Sequence, residues 1–84
     1  MFYKVKHVQP LDNYKLLVKF ENDIKKIYDV SQLFSKFDVF NQLRNIKGLF
    51  YQVKVDIGGF GISWNNEIDL SCNELWNNGT IISD

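Results

Sequence analysis

Residues 56–70, reading Asp-Ile-Gly-Gly-Phe-Gly-Ile-Ser-Trp-Asn-Asn-Glu-Ile-Asp-Leu, constrain the fold more than any other part of the chain. Phe60, Ile62 and Trp64 alternate with small or polar residues, which is the period of a strand with one buried face. Gly58-Gly59 and Asn65-Asn66 interrupt that alternation with residues that accept turn geometry. The run therefore predicts three strands joined by tight turns, at 50–56, 60–64 and 68–70, with Tyr51, Val53 and Val55 inward on the first. Ser71-Cys-Asn-Glu74 follows with the spacing of a capping box, in which a Ser hydroxyl and a Glu carboxylate each accept an amide at a helix start. The helix predicted there runs to about residue 77, and Gly79 is placed to end it.

The N-terminal third repeats the strand period. Residues 3–7 alternate, and residues 14–20 do so more clearly, with Tyr14, Leu16, Val18 and Phe20 on one face. Gln-Pro-Leu-Asp-Asn at 9–13 reads as the turn between them, and Glu21-Asn22-Asp23 as a hairpin into a third strand at 24–30. The wet face of this meander is expected to carry Lys4, Lys6, Lys15, Lys19 and Lys25. Ser31 and Asp38 precede apolar clusters at Leu33, Phe34, Phe37, Phe40 and Leu43, so both are expected to cap short helices that cover the sheet. Asn45-Ile-Lys-Gly48 reads as a connecting turn. The fold class is α+β: about six short antiparallel strands, arranged as two three-stranded meanders around short helices, with a C-terminal helix. The expected division is one domain over 1–79 and a tail over 80–84.

A chain of 84 residues can bury only one core, and 45% apolar with 24% charged residues is the composition of an ordinary globular domain. No stretch approaches the roughly 18–20 apolar residues of a membrane span and the N-terminus has no apolar leader core, so a cytoplasmic protein without a membrane is expected. One cysteine, Cys72, and one histidine, His7, exclude an internal disulfide and a cysteine-rich zinc site. The net charge of zero is unevenly divided. Residues 1–26 hold six Lys against Asp12, Glu21 and Asp23, whereas residues 55–84 hold five acids and no Lys or Arg. Such a dipolar surface orients a partner but falls short of the footprint of a dedicated nucleic-acid binder.

In order and spacing the chain resembles the small bacterial family known as DUF2442, a domain of unknown function. The resemblance covers nearly the whole chain. It is carried by Tyr14, Leu16, Val18 and Phe20, by Tyr28-Asp-Val-Ser31, by Phe40, Leu43 and Leu49-Phe50, and most strongly by residues 53–75 with Val55-Asp56, Gly58-Gly59, Ile62, Trp64, Asp69-Leu70-Ser71, Glu74 and Leu75. Asn22-Asp23 and Asn65-Asn66-Glu67 replace glycine-containing turns of the family pattern, and Cys72 replaces a proline at the first helical position; turn chemistry survives these changes. The resemblance implies a small α+β protein with no established activity. It also implies kinship with members that are joined to a helix-turn-helix segment or encoded beside a toxin-type partner. Only a short tail follows the final helix here, so direct DNA binding is not expected.

Candidate chemistry is sparse. Asp29, Asp56 and Asp69 match acidic positions of the family and would allow acid/base or metal work if they converged. The alternative is that Asp29, Ser31, Asp69, Ser71 and Glu74 are structural caps and Asp56 opens a turn. His7 and Cys72 lack an orienting third group, and Gly58-Gly59-Phe60-Gly61 joins strands instead of leading into a phosphate-binding helix. No catalytic, cofactor or metal residue is assigned. The expected function is a non-enzymatic interaction module, antitoxin-like or regulatory, binding a protein partner or a second copy of itself. Its candidate contacts are Lys4, Lys6, Lys15, Lys19, Trp64, Trp76, Ile81 and Ile82, the last two able to add a strand to an edge of the same or a partner chain. The alternative is a nucleic-acid-binding accessory protein that uses the lysine face.

Overall fold

The computed structural model describes residues 2–82, which form two antiparallel sheets and two short α-helices. The first sheet has the order β1-β2-β3-β7, from β1 (Val5–Leu11), β2 (Lys15–Phe20), β3 (Lys25–Asp29) and β7 (Thr80–Ile81). The second has the order β4-β5-β6, from β4 (Lys54–Val55), β5 (Gly61–Ser63) and β6 (Asp69–Ser71). The helices are α1 (Gln42–Asn45) and α2 (Cys72–Asn78). This is the α+β class with antiparallel strands that the alternation predicts, divided into two sheets.

The first turn is shorter than expected because the strand runs through Pro10, which pairs with Leu16. Hydrogen-bond parity explains this. The Phe20 amide donates to the Ile24 carbonyl, so the even residues of β2 bond toward β3 and its odd residues bond toward His7, Gln9 and Leu11. Pro10 thus faces the open edge of β1, where its missing N–H costs no ladder bond. The turn is confined to Asp12–Tyr14, with φ of 61° at Asn13 and 60° at Tyr14. Tyr14 therefore belongs to the turn and not to the strand. Its ring meets Phe34 and Phe50 edge-on, at 5.2 and 5.3 Å, and this packing holds an uncommon backbone conformation.

Between the sheets the expected lid forms as short 3₁₀ turns at Val30–Leu33, Asp38–Asn41 and Leu49–Gln52, with α1 the only α-helical turn among them. No apolar period there is long enough to nucleate and extend an α-helix. The cap before Asp38–Asn41 is Phe37, without a side-chain hydrogen bond, so Asp38 does not cap, and Phe37 is exposed where burial was expected. The strand expected over 50–56 contracts to Lys54–Val55. Leu49–Gln52 forms a 3₁₀ turn that buries Phe50 and points Tyr51 to solvent, the reverse of the expected facing.

Leu16, Val18 and Phe20 of β2 and Tyr28 of β3 are fully buried against Ile62, Ile68 and Leu75 of the C-terminal half. Each such side chain contributes about 1.5–3 kcal/mol. Trp64 closes the core at 4% exposure, its Nε1 donating to the Phe50 carbonyl at 2.9 Å. The chain then returns to the first sheet. Thr80–Ile81 pairs with β3, and the Ile82 amide donates to the Lys25 carbonyl at 3.1 Å. The remainder of the tail lies outside the described residues. Among the described residues, no helix is long and apolar enough to cross a membrane.

Candidate functional site

The three candidate aspartates sit on different elements. Asp29 ends β3 and caps the turn at Val30–Leu33: its Oδ1 accepts from the Ser31 amide at 3.0 Å and the Ser31 hydroxyl at 2.6 Å. Ser31 is thus the partner of the cap and not the cap itself. Asp56 accepts from the Ser63 hydroxyl at 2.7 Å, bracing the β4-β5 hairpin. Asp69 lies exposed on β6, and the N-cap of α2 is Ser71. Among the described residues, no group of three His, Cys, Asp or Glu side chains is placed to hold a metal ion.

Half of the expected capping box forms. The Ser71 hydroxyl accepts from the Glu74 amide at 3.1 Å, but the Glu74 carboxylate turns away from the helix start. Its Oε2 accepts from the buried Tyr28 hydroxyl at 2.7 Å and from the Asn78 side-chain amide at 2.9 Å. Burial first, and then the bond to Glu74, pushes the Tyr28 phenol well above its ordinary range. Lys26 makes a second bond to the same helix. Its Nζ donates to the Trp76 carbonyl and lies 4.0 Å from the centre of the Trp76 ring, with its pKa lowered by burial. Sequence reasoning missed Lys26, although β3's alternation places it on the face of Tyr28 and Val30.

Cys72 is buried at the start of α2, and His7 is exposed on β1 opposite Lys19. Gly58-Gly59 makes a hairpin, with φ of 87° and 79°. A Cβ at Gly59 would lie 2.8 Å from the Val5 carbonyl oxygen, so this turn packs directly on β1.

The lysines do not assemble one uniform basic face. Lys4 is drawn to the Phe60 ring, 4.9 Å from its centre, while Lys6 and Lys19 both approach Asp23 at 3.8 Å. On the outer face of the first sheet, register places Leu17 and Ile27 between the row of Lys19 and Lys25 and the row of Lys15 and Asp29. Trp64 is core. Trp76 is half-buried, stacked on Tyr3 with ring centres 3.8 Å apart. Ile81 remains exposed on β7, while Ile82 is half-buried and bonded to Lys25.

Large apolar side chains are exposed at several places: Ile46 and Tyr51 line one pocket, Ile81 lies on β7, and two further places hold the remainder. Phe2 and Phe60 meet edge-on at 5.5 Å beside a fully exposed Ile57. On another part of the surface, Phe37 borders a cleft of about 540 Å³ between the turns at Val30–Leu33 and Asp38–Asn41 and the strand β6, with Leu70 and Glu74 also on its wall. The positive-charge bias of the first third gave no hint of either place. The signal available was a cluster of phenylalanines in a segment too short in period to bury all of them.

Against known proteins, the family model described as "Protein of unknown function (DUF2442)" matches residues 5–80. No curated protein and no solved structure matches.

Proposed function

Because the chain belongs to the DUF2442 family of proteins of unknown function, we propose that it works as a non-enzymatic interaction module: a bacterial, cytoplasmic protein that binds another protein as the antitoxin-like or regulatory member of a pair. The observation that carries this reading is the contrast between its acids and its apolar surface. Asp29, Asp56 and Glu74 spend their lone pairs on Ser31, Ser63, Tyr28 and Asn78, as scaffold residues do. Phe37, Ile57 and Phe60 stay about half or more exposed in a chain that has ample polar residues for its surface. Exposed aromatic and aliphatic groups of this kind are the usual anchors of protein recognition.

The test is co-expression with the product of the adjacent reading frame, followed by affinity purification on a tag carried by this chain. A stoichiometric complex is expected, and it should be lost in at least one of the Phe37→Ser and Ile57→Ser/Phe60→Ser variants while their melting temperatures stay near that of the parent. Failure of the parent chain to retain the neighbour defeats this reading.

A further inference from the structure

We propose that the cleft beside β6 receives an extended segment of a partner protein, which adds a fourth strand to the β4-β5-β6 sheet and presents alternating apolar and basic side chains. This inference rests on the interaction-module reading and names the chemistry of the partner.

Hydrogen-bond parity supplies the first argument. The Trp64 amide donates to the Ile68 carbonyl at 2.9 Å, and the Cys72 amide donates to the Phe60 carbonyl at 2.8 Å. Ile68, Leu70 and Cys72 therefore turn their backbone groups toward β5. Asp69 and Ser71, lying between them, aim their amides away from β5, and Asp69 aims its carbonyl there as well. β6 is the edge of its sheet, so among the described residues these groups meet no strand. A row of such groups is a template for an added strand.

The second argument is the opposite wall. Leu33, Phe37, Val39 and Phe40 face the same cleft, and Phe37 is 55% exposed. A strand seated on β6 turns every second side chain toward that wall, and the volume of about 540 Å³ lies within the roughly 300–1,000 Å³ of ordinary binding clefts. Three residues of edge are too few to hold a partner through backbone bonds alone, so the apolar wall supplies most of the affinity.

Charge is the third. The β6 side of the cleft carries the exposed Asp69, with the negative charge of Glu74 behind it although that carboxylate is bonded to Tyr28 and Asn78; Glu67 precedes β6 on the turn, and residues 55–84 contain no Lys or Arg. Lys36 is the one cation lining the cleft among the described residues. The side chains of the added strand that lie along the acidic rim are therefore Lys or Arg, alternating with the apolar ones that enter.

The experiment is selection of phage-displayed linear peptides of about twelve residues on the immobilised full chain, with anisotropy measurements on the enriched peptides. The expected peptides alternate apolar residues with Lys or Arg. Their affinity should fall at least about tenfold in F37S, in D69K, and when alternate peptide amides are N-methylated, and should not change in K15E/K19E. Thermal melts check that each variant is folded. Absence of enrichment, enrichment of sequences without the alternation, or binding that F37S and D69K leave intact would overturn the proposal. The neighbour test separates the two levels. A neighbour that co-purifies equally with the parent, F37S and D69K overturns the cleft but leaves the interaction module standing, whereas a neighbour that ignores the parent chain defeats the module.

Discussion

At Tyr28 a buried hydroxyl ties the last helix to the first sheet beside the Lys26 contact with Trp76. Its bond to Glu74 is a hydrogen bond to a charged acceptor from a fully buried residue, so Tyr28→Phe should cost about 1–3 kcal/mol at neutral pH, read from denaturant unfolding. The pH dependence has a definite sign. The folded phenol holds its proton more tightly than the unfolded one, so the folded state binds more protons above pH about 10, and stability falls as pH rises beyond that value. Tyr28→Phe should lack that alkaline decline. A decline of equal steepness in the variant would assign it to other groups. Gly61 is equally exacting: a Cβ there would come within 2.5 Å of the Leu70 carbonyl oxygen, so Gly61→Ala should destabilise by about 1–3 kcal/mol. Neither bond nor clash was visible beforehand. The capping-box spacing of Ser71 and Glu74 was legible, but the choice of Tyr28 over the Ser71 amide by the carboxylate depends on a residue 46 positions away.

At the scale of elements, legibility followed the length of the periodic pattern. β2 and β3, with unbroken alternation, lie where the sequence places them apart from Tyr14, and the turns at 22–23 and 58–59 use the positive-φ residues Asp23, Gly58 and Gly59. The expected strand at 50–56 contracts because the turn at Leu49–Gln52 takes its first residues and buries Phe50 instead of Tyr51, and Pro10 misled because an edge strand tolerates what an inner strand does not. The half box at Ser71 remains worth a helix: Ser71→Ala should cost about 1 kcal/mol, measured by chemical denaturation, and Ser71→Asp should restore most of it. The C-terminal strand has its own consequence. Truncation after Gly79 removes the pairing of Thr80–Ile81 with β3 and should lower the melting temperature while raising self-association through the uncovered edge. An unchanged melting temperature and an unchanged oligomeric state would show that this strand contributes nothing.

For the molecule as a whole, one core made by two sheets engages Asp29, Asp56 and Glu74 in hydrogen bonds and leaves Phe37, Ile57 and Phe60 exposed elsewhere. The α+β class, the C-terminal helix and the family were all legible in the sequence, since each rests on patterns local in sequence. The cleft was not, because its two walls, near residues 33–40 and 69–74, are far apart in sequence and meet only in the folded chain. The basic bias of residues 1–26 does not translate into one continuous basic face: Lys26 is buried, and the outer lysines alternate with aliphatic side chains or approach Asp23. The most direct test is amide chemical-shift mapping of the isotopically labelled chain as the adjacent reading-frame product is titrated in. The account predicts changes concentrated at Phe37, at residues 57–60 and along Asp69–Ser71, with the amides around Asp29 and on the outer lysine face unmoved. Changes converging instead on Asp29 and Ser31, or on Lys15 and Lys19, would contradict it.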